Sequence, residues 1–273
     1  MAKKLAYIVL LIALLFVNCT RELAIKPVGE KNMLVVLGEV RTSDSIVVHL
    51  STAKNVSLPG SSQEPVNHAK IQIFDAQHNL KAELRKSGIN KWSSPFIPSA
   101  GGKYTFKIET DERKAQLSVV LPKDFSARII KQTSYNDVLM EVTLQMENVG
   151  RIRSNYVVEY LQVKNNGLQL QYIECPDTKT DNNIYNELTS PFKRIFLKAD
   201  NSTATLTMRV AKPNLSEKYI MRIKSVDNAY YRYLYSYEVQ KDNVYAFMDF
   251  ISDPNYVGIL GGVNKKDIEA VYP

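Results

Sequence analysis

The residues with most capacity for chemistry are three histidines, two cysteines and a Tyr-rich run, in a chain of 273 residues. His49, His68 and His78 never pair at the short helical spacings of a zinc site, and Cys19 and Cys175 form no Cys pair with ligand spacing. No G-x-S-x-G elbow and no Walker loop is present. Ser61 and Ser62 sit in LPGSSQ, a polar turn sequence. The late glycines of GILGG do not follow a strand and open a helix as a dinucleotide site requires. Acidic residues are plentiful, yet no spacing points to a glycosidase pair. The expectation is a non-enzymatic protein without cofactor or metal, with a hydrolase of unrecognised site as the remaining catalytic reading.

Cys19 has a different chemistry open to it. It stands where the apolar run Leu5 to Val17 ends, behind Lys3 and Lys4. Thirteen residues are fewer than the roughly 20 that span a bilayer. A basic start, a short apolar core and a processing point describe a signal peptide. Phe16-Val17-Asn18-Cys19 resembles a bacterial lipobox, with Asn18 in place of the usual small residue. Cys19 is therefore expected to carry lipid as the first residue of the mature chain, residues 1–18 being the signal peptide. The mature chain then keeps Cys175 as its one thiol, so no internal disulfide is expected and stability must come from burial. Removing 18 of 273 residues leaves 255, enough for two cores.

Aromatic residues supply the binding candidates. Trp92 in INKWSSPFIP and the tyrosines of SVDNAYYRYLYSYEVQKDN each have a packing reading and a contact reading. Tyr231, Tyr233, Tyr235 and Tyr237 recur at strand spacing; Tyr230, Tyr233, Leu234 and Tyr237 recur at helical spacing, with Ser225 or Asp227 as N-cap. As a helix, the second set faces the core, and Tyr231 and Tyr235 lie at its edge as candidate binding residues, with Trp92 as a third. The net charge is +7, or +5 without Lys3 and Lys4. Its densest points, Arg151/Arg153, Lys193/Arg194 and Lys265/Lys266, form no basic stripe with interleaved aromatics, which argues against nucleic acid.

The elements that must position these residues read as strands. Met140, Val142, Leu144 and Met146 alternate with polar residues, as do Leu206, Met208, Val210 and Tyr104, Phe106, Ile108. Turn sequences such as LPGSSQEP, PSAGG and KNNG separate them. Many short strands predict a mainly β protein of two antiparallel sandwiches. Pro122, which cannot donate to a central ladder, marks the boundary. The expected organisation is a tether over 19–31, an N-terminal β-sandwich over 32–123, and a C-terminal β-domain over 124–273 that carries the Tyr-rich segment and a Gly-containing tail.

The order of these pieces carries a family resemblance. The lipobox, LVVLGEV, AKIQIFD, GGKYTFKIE, NYVVEYLQV, NELTSPFKRIFL, the Tyr-rich segment and DPNYVGILGG together resemble the Bacteroidetes lipoprotein family known as domain of unknown function 4249. AKIQIFD with GKYTFKIE also resembles a transthyretin/Ig-like accessory sandwich. The resemblance implies that Asp227 to Gln240 is a short helix. It also implies an outer-membrane lipoprotein whose gene neighbours include TonB-dependent receptors. The partners to expect are then the membrane, through the N-terminal lipid; a TonB-dependent receptor; and a peptide, glycan or other small nutrient ligand. A structural or adhesive surface lipoprotein is the alternative. Either face of the outer membrane is open.

Overall fold

The computed structural model describes residues 33–53, 63–148, 153–176, 192–199, 202–213, 217–239 and 256–270. It is mainly β, with one helix among the described residues. The first sandwich is built from β1 (Met33–Arg41), β2 (Ile46–Ala53), β3 (Gln63–Pro65), β4 (Ala69–Phe74), β5 (Leu80–Gly88), β6 (Lys91–Ser94), β7 (Lys103–Thr110) and β8 (Lys114–Val120). Strand β5 pairs β4 through Leu84 and β6 from Arg85 onward, so it passes from one layer to the other. A register shift between Lys86 and Gly88 accompanies the passage. The alternating Tyr104, Phe106 and Ile108 of β7 then meet Val36, Val48 and Leu50 of β1 and β2 in one core.

The second sandwich adds β9 (Phe125–Ser134), β10 (Leu139–Asn148), β11 (Ser154–Lys164), β12 (Gly167–Gln171), β13 (Ile173–Glu174), β14 (Arg194–Ala199), β15 (Thr203–Ala211) and β16 (Lys218–Val226). A four-stranded sheet, β13-β15-β10-β9, faces the layer that contains β14, β11 and β16. Met140, Val142, Leu144 and Met146 are fully buried in that core, as period-two patterning requires. Leu121 closes the first core and Phe125 opens the second, with Pro122 between them.

The last strand, β17 (Tyr256–Ala270), departs from a simple division at Pro122. Its first half pairs β1 in parallel, from Leu34↔Tyr256 to Arg41↔Val263. Its second half pairs β16 antiparallel, from Val226↔Val263 to Tyr219↔Ala270. The segment expected as a Gly-containing tail of the second domain is therefore a long central strand shared by both sandwiches. It joins β1–β8 of the first unit to β11, β12, β14 and β16 of the second in one 13-stranded sheet. The β1–β17 ladder is parallel where the sequence pattern predicts antiparallel pairs throughout. The reason is topological: β17 returns from the second unit and meets β1 running the same way.

The helix, α1 (Asn228–Val239), lies across this continuous sheet. Its tyrosines override the β preference of Tyr because Tyr230, Tyr231, Tyr233 and Tyr235 pack against the sheet. Val157, Phe196, Val226, Ile259 and Val263 supply the sheet side of that contact. Strand β11 is consequently covered on both faces, by the second core and by α1, and is buried from Tyr156 to Gln162.

Candidate functional site

Beneath and beside α1 the sheet carries a row of charged side chains taken from both sandwiches. Glu159 of β11, only 3% exposed, accepts from Arg194 Nε at 2.8 Å and pairs with Lys224 Nζ at 3.3 Å. Lys224 also reaches Glu39 of β1 at 3.2 Å. Arg194 Nη1 donates to Glu238 of α1 at 3.1 Å, and the Tyr230 hydroxyl donates to Glu39 at 2.7 Å. The row continues through Arg41 to Asp44, and Lys265 closes on Asp44 at 3.5 Å. Burial alone would raise the Glu39 carboxyl. The Lys224 ammonium, the Tyr230 hydroxyl and Arg41 outweigh it and bring it from an ordinary 4.5 down to about 2. Burial raises the Tyr230 hydroxyl strongly, and Glu39 adds to that shift, so the phenol stays a donor.

The start of α1 is tied to the same sheet. Asp227 is the N-cap: its Oδ1 accepts from the Tyr230 amide at 2.8 Å, and its Oδ2 accepts from the Gly262 amide. Burial raises the Asp227 carboxyl despite these bonds. Two glycines of β17 make the docking possible. A Cβ on Gly261 would overlap the Tyr230 ring, and a Cβ on Gly262 would overlap the Val120 carbonyl. GILGG is thus a place where a ring and a second backbone approach a strand closely.

At this N-terminal end of α1 the two sandwiches leave a cleft of about 820 Å³. Three elements of its wall come from the first unit: the Gly101 turn, the end of β8, and the linker Leu121–Lys123. The linker is fixed in place. Gly101 N donates to Pro122 O at 3.1 Å, Leu121 N to Gly102 O at 2.8 Å, and Asn264 Nδ2 to Lys123 O at 3.3 Å. The opposite wall is formed by Asn148, the start of β11, Lys198 of β14, and residues 225–229. Exposed Lys123, Arg153 and Lys198 bring three positive charges. Asp227 is the one acid among the described lining residues, and both its oxygens are engaged by backbone amides.

The residues singled out from sequence fall elsewhere. Trp92 is 1% exposed in the first core, paired with Val48 across β2, so it cannot act as a surface platform. Tyr231 is also 1% exposed, set edge-on to Phe196 at 5.5 Å, and Tyr235 packs on the same ring at 5.3 Å. Tyr237, expected in the core, is 48% exposed. The buried face of α1 is rotated from the expected one because Phe196 and the gap at Gly261 fix where rings fit. Tyr231 nevertheless touches the cleft indirectly, since Lys198 Nζ lies 5.3 Å over its ring. Cys19 lies outside the described residues. Cys175 packs against the second core, its Sγ 3.8 Å from the Thr207 carbonyl. Among the described residues, no group of three His, Cys, Asp or Glu is placed to hold a metal, and no helix is long and apolar enough to cross a membrane.

Sequence reasoning missed the cleft cations. Arg153 belongs to one of the dense basic points, but Lys123 and Lys198 are distant in sequence from it and from each other, and only the strand order brings the three together.

The fold and this seam define a protein of two β-sandwiches joined through a common sheet. The chain belongs to the family described as Domain of unknown function (DUF4249), which matches residues 20–257. No curated protein matches it. Among solved structures it is similar to a DUF4785 family protein from Legionella pneumophila, at 9% identity and TM-score 0.23, covering 68% of this chain and 50% of that one. The chain thus spans half the length of that protein. It is also similar to a two fibronectin type-III domain segment from chicken tenascin, at 11% identity, TM-score 0.21, and 89% and 100% coverage. A DUF3823 family protein from Bacteroides ovatus matches at 9% identity, TM-score 0.20, and 71% and 90% coverage. At such scores the likeness says nothing about ligand or activity.

Proposed function

We propose that the protein is a lipid-anchored, non-enzymatic binding protein of the outer membrane, an accessory to a TonB-dependent transport system. Its contact site in this reading is the cleft between the two sandwiches. The observation that carries it is the concavity at the seam, walled by both units and lined by three exposed cations. A non-catalytic role is supported by the state of the acids. Glu39, the carboxylate with the largest downward shift, is already engaged by Lys224, Tyr230 and Arg41, away from the cleft. Asp227 serves as a helix cap. Neither is placed to exchange a proton with a bound molecule. Cys19 supplies the anchor, and its three acyl chains contribute about 0.8 kcal/mol per buried CH₂, so attachment is near permanent.

Affinity purification of the full-length protein from detergent-solubilised envelope tests this. A TonB-dependent receptor should co-purify, and a Cys19→Ala protein should lose the label from a labelled fatty acid. Co-purification of pilin-like subunits in place of a receptor would favour the adhesive alternative. Label persisting on Cys19→Ala would overturn the anchor.

A further inference from the structure

Resting on the reading of the cleft as a binding site, we propose that its ligand is a short, extended, free peptide, added as a strand to the outer edge of β8. Strand β8 ends the 13-stranded sheet, and among the described residues it pairs β7 alone. The register fixes which backbone groups that pairing uses. Thr110 N donates to Arg113 O and Leu121 N to Gly102 O, at the two ends of the hairpin. The hydrogen-bonded pairs between them are therefore Ala115↔Ile108, Leu117↔Phe106 and Val119↔Tyr104. The amides and carbonyls of Gln116, Ser118 and Val120 point the other way, off the sheet. The side chains of Ala115, Leu117 and Val119 are buried in the first core, and those of Gln116, Ser118 and Val120 are exposed.

This edge opens on the cleft, because Ser118 and Val120 both line it. Alternating outward amides and carbonyls are complementary to a second extended backbone, the basis of strand addition. Folded proteins usually guard an open edge with charge, proline or a bulge. The edge strand β9 of the smaller sheet is guarded in this way, by Arg128, Lys131 and a register shift against β10. From Ala115 to Val120, β8 has no charge, no proline and an unbroken register. Strand β12 is uncharged too, but none of its residues is among the described lining. The edge is also short. Gln116 to Val120 covers about 13 Å at about 3.3 Å per residue, room for roughly five residues. Beyond Val120 the chain turns into the linker, held by Gly101, Gly102 and Asn264. A short free peptide fits such an edge. The apolar share of the wall, Leu121, Pro122, Val226 and Ala229, suits aliphatic side chains on that peptide.

Amide hydrogen exchange, followed by NMR on the full-length protein in detergent, provides the test. The probe is the pentapeptide Val-Thr-Val-Thr-Val, capped at both ends so that it carries no charge. Excess peptide should slow exchange at Gln116 and Ser118 about tenfold or more, as their amides pass from water into a ladder, and leave the exposed turn amides of Asp111 and Glu112 unchanged. Two N-methylated forms of the probe refine the result, one blocked at its second and fourth residues, the other at its first, third and fifth. One set of peptide amides faces β8 and the other faces water, so one form should bind about tenfold weaker and the other within about twofold of the parent peptide. Ser118→Pro removes an outward amide, which an edge strand tolerates, and should abolish the slowing at Gln116. Ser118→Ala keeps the backbone and should bind as the parent does. Unchanged exchange at Gln116 and Ser118, equal loss with both methylated forms, or full binding by Ser118→Pro would overturn the assignment; should Ser118→Pro fail to fold, the methylated pair decides. Receptor capture separates this from the broader reading. If Ala229→Trp, which fills the cleft, blocks capture while the peptide fails to bind the parent protein, the peptide falls and the cleft stands. If capture survives Ala229→Trp while the parent protein binds the peptide at β8, the peptide stands and the receptor reading falls alone. Loss of capture in Ser118→Pro, with no slowing by the free peptide, would give the edge to a segment of the receptor and overturn the free peptide.

Discussion

The sheet beneath α1 and the cleft at its N-terminus treat charge in opposite ways. Along its length, Glu238 and Tyr230 sit over Arg194, Glu159, Lys224 and Glu39, a buried row in which every charge meets an opposite one within 3.5 Å. At its N-terminus, Lys123, Arg153 and Lys198 stand exposed around a cleft whose one described acid is engaged as a cap. The lesson is that charge density alone does not mark a site in this molecule. The buried row is the larger cluster and holds the more strongly shifted acid, yet its members serve to clamp β1, β11, β14, β16 and α1 together. Desolvated charges of this kind must be mutually satisfied, because one left alone is costly. The exposed cations keep contact with solvent and cost little to hold at the surface.

The comparison can be broken most forcefully at the helix face. Tyr231→Ala with Tyr235→Ala removes both rings from Phe196, and large-to-small aromatic changes in a core cost about 3–5 kcal/mol each. The denaturant midpoint should fall steeply. A pair of surface tyrosines would have left it unchanged. Leu234→Asp, which places a charge in the same apolar contact, should destabilise by a similar several kcal/mol, about 3–5.

Next comes Gly261→Ala, whose added methyl meets the Tyr230 ring. Overpacking typically costs about 1–3 kcal/mol, and displacing the ring also withdraws its hydroxyl from Glu39.

The acid dependence of the seam is the third test. Glu39 titrates at an ordinary 4.5 when unfolded and at about 2 when folded. The folded state therefore binds fewer protons across that window. Its contribution is full above about pH 4.5 and lost as pH falls toward about 2, amounting to about 3 kcal/mol. Glu39→Gln should lower stability at neutral pH by an amount of that order. It should also flatten the decline between about pH 4.5 and about pH 2 relative to the parent, measured by urea unfolding at several pH values.

These contrasts also explain how much of the molecule is legible in its sequence. β10 declares itself because one face is buried and one is wet, so Met140, Val142, Leu144 and Met146 alternate cleanly. Leu121 belongs to the first core and Phe125 to the second, with Pro122, which cannot donate to a ladder, between them. β17 is not legible as a central strand. Gly258, Gly261 and Gly262 depress its β character, and each is there for a contact made by distant residues: Val36, Tyr230 and Val120. The orientation of α1 was hidden for the same reason, since its periodicity permits several buried faces and the sheet beneath chooses among them. Members of the three basic points seen in sequence reach separate settings. Arg153 lines the cleft, Arg194 lies in the buried row, and Lys265 and Lys266 pair with Asp44 and Asp124.

The smallest expected change in stability accompanies the most direct test of the central claim. Ala229 is exposed in the first turn of α1 and lines the cleft, so Ala229→Trp fills the concavity without touching either core. Its unfolding free energy should stay within about 0.5 kcal/mol of the parent. Receptor capture from solubilised envelope, measured side by side for the parent and Ala229→Trp at matched expression, should be strong for the first and lost for the second. Capture by Ala229→Trp at the parent level, with its stability unchanged, would contradict the assignment of the cleft as the contact site.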